Sequence, residues 1–90
     1  MIQGQVYDFK GNLIGQIQVI MVEPPKKGGS EITGIWLGEK KWAKRDEQPA
    51  NFTLKLENGR IYQECNFLNF EDDVESPQVI IEGKEKINSC

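Results

Sequence analysis

Ninety residues make one small domain, and a chain this short buries only about 60–65% of the surface its unfolded form exposes. With 38% apolar and 28% charged residues and a net charge of −3, the sequence is too apolar and too well patterned for a disordered chain. The same balance excludes a globally basic nucleic-acid binder, while leaving room for a local basic patch.

The first legible element is a hairpin. Val6-Tyr7 and Leu13-Ile14 flank Asp8-Phe9-Lys10-Gly11-Asn12. Asp-x-x-Gly between apolar strands suits a type I turn followed by a left-handed glycine, with the Asp8 carboxylate accepting turn N–H groups. This register sets Tyr7 against Leu13 and Val6 against Ile14. The seven residues Tyr7 to Leu13 resemble the Tyr-Asp-x-x-Gly-Asn-Leu turn of YD-repeat proteins, which implies the same turn chemistry over that stretch.

The second arm is long. Leu13, Gly15, Ile17, Val19 and Met21 alternate with Ile14, Gln16, Gln18, Ile20 and Val22. Gly15 marks a bulge or bend, of the kind by which small barrels curve. Pro24 to Ser30 reads as a loop, because two prolines stop the ladder and two glycines loosen the chain. Glu31 to Gly38 is a third strand rich in β-formers, with Trp36 in the core and its indole N–H in need of an acceptor. Residues 39–50 tolerate one helical turn, but their one strong apolar anchor is Trp42.

Phe52, Leu54 and Leu56 alternate with Thr53, Lys55 and Glu57 ahead of Asn58-Gly59, the signal for a two-residue type I′ turn. That turn pairs Glu57 with Arg60, Leu56 with Ile61, Lys55 with Tyr62, Leu54 with Gln63 and Phe52 with Cys65. Leu56, Ile61, Leu54, Phe52, Cys65 and Phe67 then share the core face. Tyr62 falls outside, with Thr53, Lys55 and Glu64. Glu71 to Pro77 is an acidic loop, Val79 to Ile81 a short last strand, and Glu82 to Cys90 polar. The expected architecture is all-β: a small partly open barrel of five or six antiparallel strands, SH3-like or OB-like, with a small sandwich as the alternative. One domain spans residues 1–83 and a polar tail spans 84–90.

The chemistry is sparse. There is no histidine, hence no usual general base or zinc ligand, and the two cysteines make no disulfide framework. Cys65 lies in the core-facing row, where a thiol is inert. No phosphate-binding loop, dinucleotide fingerprint or nucleophile elbow occurs. The expectation is therefore a non-enzymatic protein without metal or cofactor. No apolar run reaches membrane-spanning length and no signal peptide is visible, which makes a cytoplasmic location the expectation.

Two segments stand out as handles for a partner. Lys40, Lys41, Lys44 and Arg45 surround Trp42, the combination of cations and ring that single-stranded nucleic acid needs. The opposing reading tucks Trp42 against the barrel with the lysines reaching outward. Asp72 and Asp73 sit in the acidic loop, a docking surface for a basic partner or a solvated turn without calcium-loop spacing. Residues 1–60 are net +2 and residues 61–90 net −5, so the molecule is dipolar. A protein-interaction, accessory or inhibitory module follows from these features, with a homodimer through an edge strand as one mode. The alternatives are a single-stranded nucleic-acid binder using the Lys40–Arg45 loop, and a small-ligand carrier with a pocket beside Trp36 or Trp42.

Overall fold

The computed structural model describes residues 1–27, 29–39, 42, 47–71 and 75–86. Six strands, β1 (Ile2–Tyr7), β2 (Leu13–Val22), β3 (Ser30–Leu37), β4 (Ala50–Leu56), β5 (Ile61–Phe70) and β6 (Gln78–Glu85), form one closed antiparallel barrel in the order β1-β2-β3-β6-β5-β4. The small all-β barrel expected from the sequence is present, and pairing of β1 with β4, Gly4 opposite Leu56 to Tyr7 opposite Thr53, closes it. Every strand therefore has a hydrogen-bonded neighbour on both sides. The expectation of an edge strand for dimerisation is corrected by this closure, since a closed barrel has no edge to extend. Among the described residues, no helix is long and apolar enough to cross a membrane.

Both predicted hairpins form, and both turn by the same device. In the first, the Asp8 N–H donates to Asn12 O (2.9 Å) and the Gly11 N–H to Asp8 O (3.0 Å), leaving a three-residue loop. In the second, the Leu56 N–H donates to Arg60 O (2.9 Å) and the Gly59 N–H to Leu56 O (3.0 Å). Gly11 (φ 89°) and Gly59 (φ 94°) take the left-handed position that closes each loop.

The second turn departs from the two-residue expectation. A type I′ turn needs positive φ at both Asn58 and Gly59, and only the glycine adopts it. The loop is thus Glu57-Asn58-Gly59, and the pairing slips by one residue: Leu54 faces Tyr62 and Lys55 faces Ile61. A one-residue slip exchanges the faces of a strand. Tyr62 goes inside, at 1% exposure, and Ile61 goes to the wall's outer side. Their predicted sides are both corrected.

The slip does not propagate, because bulges absorb it. Between Leu54–Tyr62 and Phe52–Cys65 the β5 strand carries one extra residue, and between Phe52–Cys65 and Ala50–Asn66 the β4 strand carries one. Glu64 (φ 52°) and Asn51 (φ 56°), the non-glycine residues with left-handed backbone, sit at these two irregularities. Phe52 and Cys65 consequently meet as expected, both buried. The first hairpin behaves alike: Tyr7 faces Leu13, but Val6 faces Gly15 in place of Ile14 because the ladder bulges there. A further bulge between Val19 and Met21 turns Met21 outward, against the plain alternation. β6 also runs further than the apolar triplet Val79–Ile81 suggested. Glu82 to Glu85 continue the ladder because Ile81 and Gly83 point in while Glu82 and Lys84 point away.

The interior is continuous from Val6, Ile17, Ile32 and Leu54 to Val79 and Ile81, each such side chain contributing about 1.5–3 kcal/mol on burial. Aromatic rings plug one end of it. Trp36 and Trp42 cross at 5.3 Å and 75°, Trp42 meets Phe70 at 5.3 Å and 70°, and Phe67 lies 4.7 Å from Phe52 and 5.2 Å from Phe70. Edge-to-face contacts of this kind add about 0.5–1.5 kcal/mol each beyond burial. Trp36 fits because residue 15 is glycine: a Cβ there would fall inside the indole ring.

Two outcomes follow from this packing. Gly15→Ala displaces a rigid ring from a filled interior and costs about 1–3 kcal/mol in urea unfolding, with red-shifted tryptophan emission. A stability equal to wild type would contradict the close approach. Burial also pushes the Cys65 thiol up to about 12, against a smaller lowering by the Leu54 backbone, and the thiol donates to Tyr62 O at 3.4 Å. In a Cys90→Ser background, Ellman's reagent at pH 8 should find no reactive thiol until urea unfolds the chain.

Candidate interaction surface

With the core filled, what remains is the outer wall. The alternation that sends Gly4 and Val6 inward sends Gln3 and Gln5 outward, and the alternation that buries Ile17 and Val19 turns out Gln16 and Gln18. The first hairpin's register then sets Gln3 opposite Gln18 and Gln5 opposite Gln16. Four amide side chains form one block, tied by a bond from Gln3 Nε2 to Gln16 Oε1 (3.1 Å). Tyr7 donates its hydroxyl to Gln5 Oε1 at 2.7 Å, fixing one corner.

The block continues onto β3 and β6 without meeting a charge. Gln16 pairs with Leu37, and Gln18 with Ile35, which in turn pairs with Gln78. Thr33 and Ile80 form the next pair, beside the exposed Ile20 and Met1. The Glu57 carboxylate reaches the β1 side of this area, where Oε1 accepts the Gln3 N–H at 3.1 Å; beyond Gln3 the residues paired across the area are uncharged. Charges begin at its borders: Lys55, paired with Gln5, and Glu57, whose backbone N–H donates to Gln3 O at 3.0 Å, on one side; Glu31 paired with Glu82 on another. Two shallow hollows of about 260 and 300 Å³ meet at Gln3 and Glu57, one bordered also by Gln5 and Lys55, the other by Met1, Gln18 and Leu37. In a chain with 28% charged residues, a neutral area spanning four strands is the surface composition of an interface centre, where charge is depleted and apolar groups remain.

The residues singled out from sequence fare differently. Trp42 is 8% exposed, its ring held against Trp36, Phe67 and Phe70. The tucked reading therefore describes it, and a ring so buried offers no open face for a base. Neither Trp36 Nε1 nor Trp42 Nε1 finds an acceptor; an unpaired buried donor costs about 1–3 kcal/mol, which the aromatic contacts offset. Lys40, Lys41, Lys44 and Arg45 lie outside the described residues, as do Asp72 and Asp73. Charge and aromaticity, on which the partner-binding expectation rests, give no sign of the glutamine block. Its signal was legible in Gln3-x-Gln5 and Gln16-x-Gln18, two period-two pairs that a hairpin turning at Gly11 must superimpose. Among the described residues, no group of acidic, cysteine or histidine side chains is placed to hold a metal ion.

The turn that sets this register is fastened by Asp8. Its Oδ1 accepts the backbone N–H groups of Asn12 (2.8 Å) and Lys10 (2.9 Å), and its Oδ2 the Asn12 side-chain amide (3.2 Å). The Asn12 backbone N–H foremost, then its amide, the Lys10 N–H and the Lys10 charge hold the Asp8 carboxyl below its ordinary value. A carboxylate depressed in the folded state stabilises fully above its unfolded value of about 3.9 and loses that contribution as pH falls through the lower folded value. The melting temperature should accordingly drop more between pH 5 and pH 2.5 in wild type than in Asp8→Asn, whose amide oxygen accepts at every pH. Parallel curves would remove the turn from the acid response. Compared with known proteins, the chain stands apart: no family model, curated protein or solved structure matches it.

Proposed function

We propose that this protein is a non-enzymatic protein-interaction module that docks through the neutral outer face of β1, β2, β3 and β6. The observation that carries the reading is the run Gln5–Gln16–Leu37 and Gln3–Gln18–Ile35–Gln78, laid across four strands with charges only at its borders. A charged partner surface would be desolvated here without a counter-ion, so the face selects a partner that is itself neutral, with amide and apolar groups. Each glutamine amide offers two donors and an acceptor. A second copy of the same face meets that description, since isologous packing brings donors to acceptors and no like charges together. Closure of the barrel directs attention to face packing in place of strand addition.

The test is a photo-reactive residue at Gln18, with the same residue at Asn58, on the Glu57–Gly59 turn, as control, in cells expressing the chain. The reading expects a discrete protein adduct from position 18, weaker or missing from position 58. An adduct of twice the chain's mass identifies the partner as a second copy. Gln5→Glu combined with Gln16→Glu should reduce the adduct ten-fold or more, with unfolding free energy changed by about 0.5 kcal/mol or less because both positions face solvent. Equal labelling from both positions, or an adduct indifferent to the two carboxylates, would overturn the proposal.

A further inference from the structure

The outer wall of β4 and β5 has a different character. Phe9, at the tip of the first hairpin, is 75% exposed, the most exposed aromatic ring among the described residues. It stands between two adjoining hollows. One, of about 340 Å³, is lined by Tyr7, Thr53, Lys55, Ile61 and Lys86; the other, of about 330 Å³, by Asn51, Thr53, Gln63 and Glu64. A large ring on a turn costs solvation that burial never returns, yet here the turn is pinned by three hydrogen bonds to Asp8. The ring is held out on a fixed mount.

One lysine stands over the ring and two line the larger hollow beside it. The Lys10 ammonium lies 5.6 Å from the Phe9 ring centroid, and the Lys55 ammonium 5.0 Å from that of Tyr7. Lys86 closes the far side of the larger hollow. The nearby carboxylates are already engaged, Asp8 by its turn and Glu64 by Lys84 Nζ at 3.4 Å. The groove thus combines an exposed ring, polar groups and the lysines Lys55 and Lys86 with the engaged carboxylates Asp8 and Glu64, and Lys10 stands beside the ring.

We propose that this groove is a binding site for single-stranded nucleic acid, with Phe9 as the stacking platform and Lys10, Lys55 and Lys86 on the phosphates. Stacking needs an exposed rigid ring, because every base has a face to offer, and backbone tracking needs cations spaced along a channel. Trp42, which the sequence favoured for this role, is buried; Phe9 supplies what it cannot. The groove adjoins the glutamine face along Tyr7 and Lys55, whereas Phe9 and Lys86 line the groove and not the hollows at Gln3.

The experiment is fluorescence anisotropy of a labelled oligothymidylate of about 12 nucleotides, titrated with the full chain at low salt and then across a salt series. Binding is expected, with a log–log salt slope of about −2 for three phosphate contacts. Phe9→Ala should weaken it about five- to 100-fold, Phe9→Trp should restore it, and Lys55→Gln should lessen the slope by about 0.7. Melting temperatures of the variants serve as the folding control, as these side chains lie outside the core. No binding at low salt overturns the proposal, as does Phe9→Ala binding like wild type. Loss on replacing Lys40, Lys41, Lys44 and Arg45 by glutamine, with Phe9→Ala unaffected, would put the site in the β3–β4 connection and equally overturn it. Preference for an extended neutral peptide over the oligonucleotide would do the same.

Discussion

Which side of the wall each side chain takes depends on the counting of residues through two turns, and that count is set by two left-handed glycines. Gly11 and Gly59 each end a three-residue loop. Either loop shortened by one residue would exchange inside and outside along the following strand. On β2, Ile17 and Val19 would then face water and Gln16 and Gln18 the core; on β5, Tyr62 would turn outward. The hydrophobic interior confirms the count energetically: several buried aliphatic and aromatic side chains, at about 1.5–3 kcal/mol each, outweigh whatever a competing turn type would gain.

Because the count is discrete, irregularities come in compensating sets. The Glu57–Gly59 loop shifts β5 by one residue relative to a two-residue turn, and the bulge at Glu64 shifts it back. Between these points lies Tyr62, which the shifted register places in the interior beside Leu54. Left-handed backbone at Glu64 and Asn51 costs of order 1–3 kcal/mol each, tolerated because Phe52 and Cys65 then reach the core together. Asn66 is attached to both sites: its Oδ1 accepts the Asn51 N–H at 3.3 Å and its Nδ2 donates to Glu64 O at 3.4 Å. One side chain braces the two strained positions.

This explains what the sequence disclosed and what it withheld. Alternation and turn chemistry made the two hairpins, the barrel class and most of the core legible, because those signals are local. Asn58-Gly59 announced a turn but not its length, since Asn tolerates either backbone region and the choice falls to the strands on each side. Tyr62 and Ile61 were therefore assigned to the wrong sides, whereas Phe52 and Cys65 were paired correctly through a bulge no local signal reveals. Trp42 could not be placed by pattern, standing alone among polar neighbours; only the ring cluster of Trp36, Phe67 and Phe70 accounts for its burial. The glutamine face was present in the sequence as two spaced pairs, and it needed the Gly11 register to become a surface.

A wall one residue thick has a further consequence. Lys55 projects outward between Leu54 and Leu56, and Gln18 between Ile17 and Val19, so each outer residue sits on a backbone held by two core neighbours. Outer side chains can then be charged, neutral or aromatic without altering the core, and the two faces of this barrel have diverged accordingly. Phe9 is the exception, for it rides on a turn and has no core neighbour to hold it. Its mount is the turn, held by backbone bonds between Asp8, Gly11 and Asn12 and by the Asp8 carboxylate, whose bonds also lower the carboxyl's proton affinity. Protonating that carboxyl takes away its side-chain bonds and leaves the backbone bonds of the turn, while the glutamine residues sit in the ladder and are held by strand pairing as well. The two surfaces thus differ in how directly they lean on Asp8: Phe9 rides on the turn itself, whereas Gln3 and Gln18 are fixed by their pairing across β1 and β2.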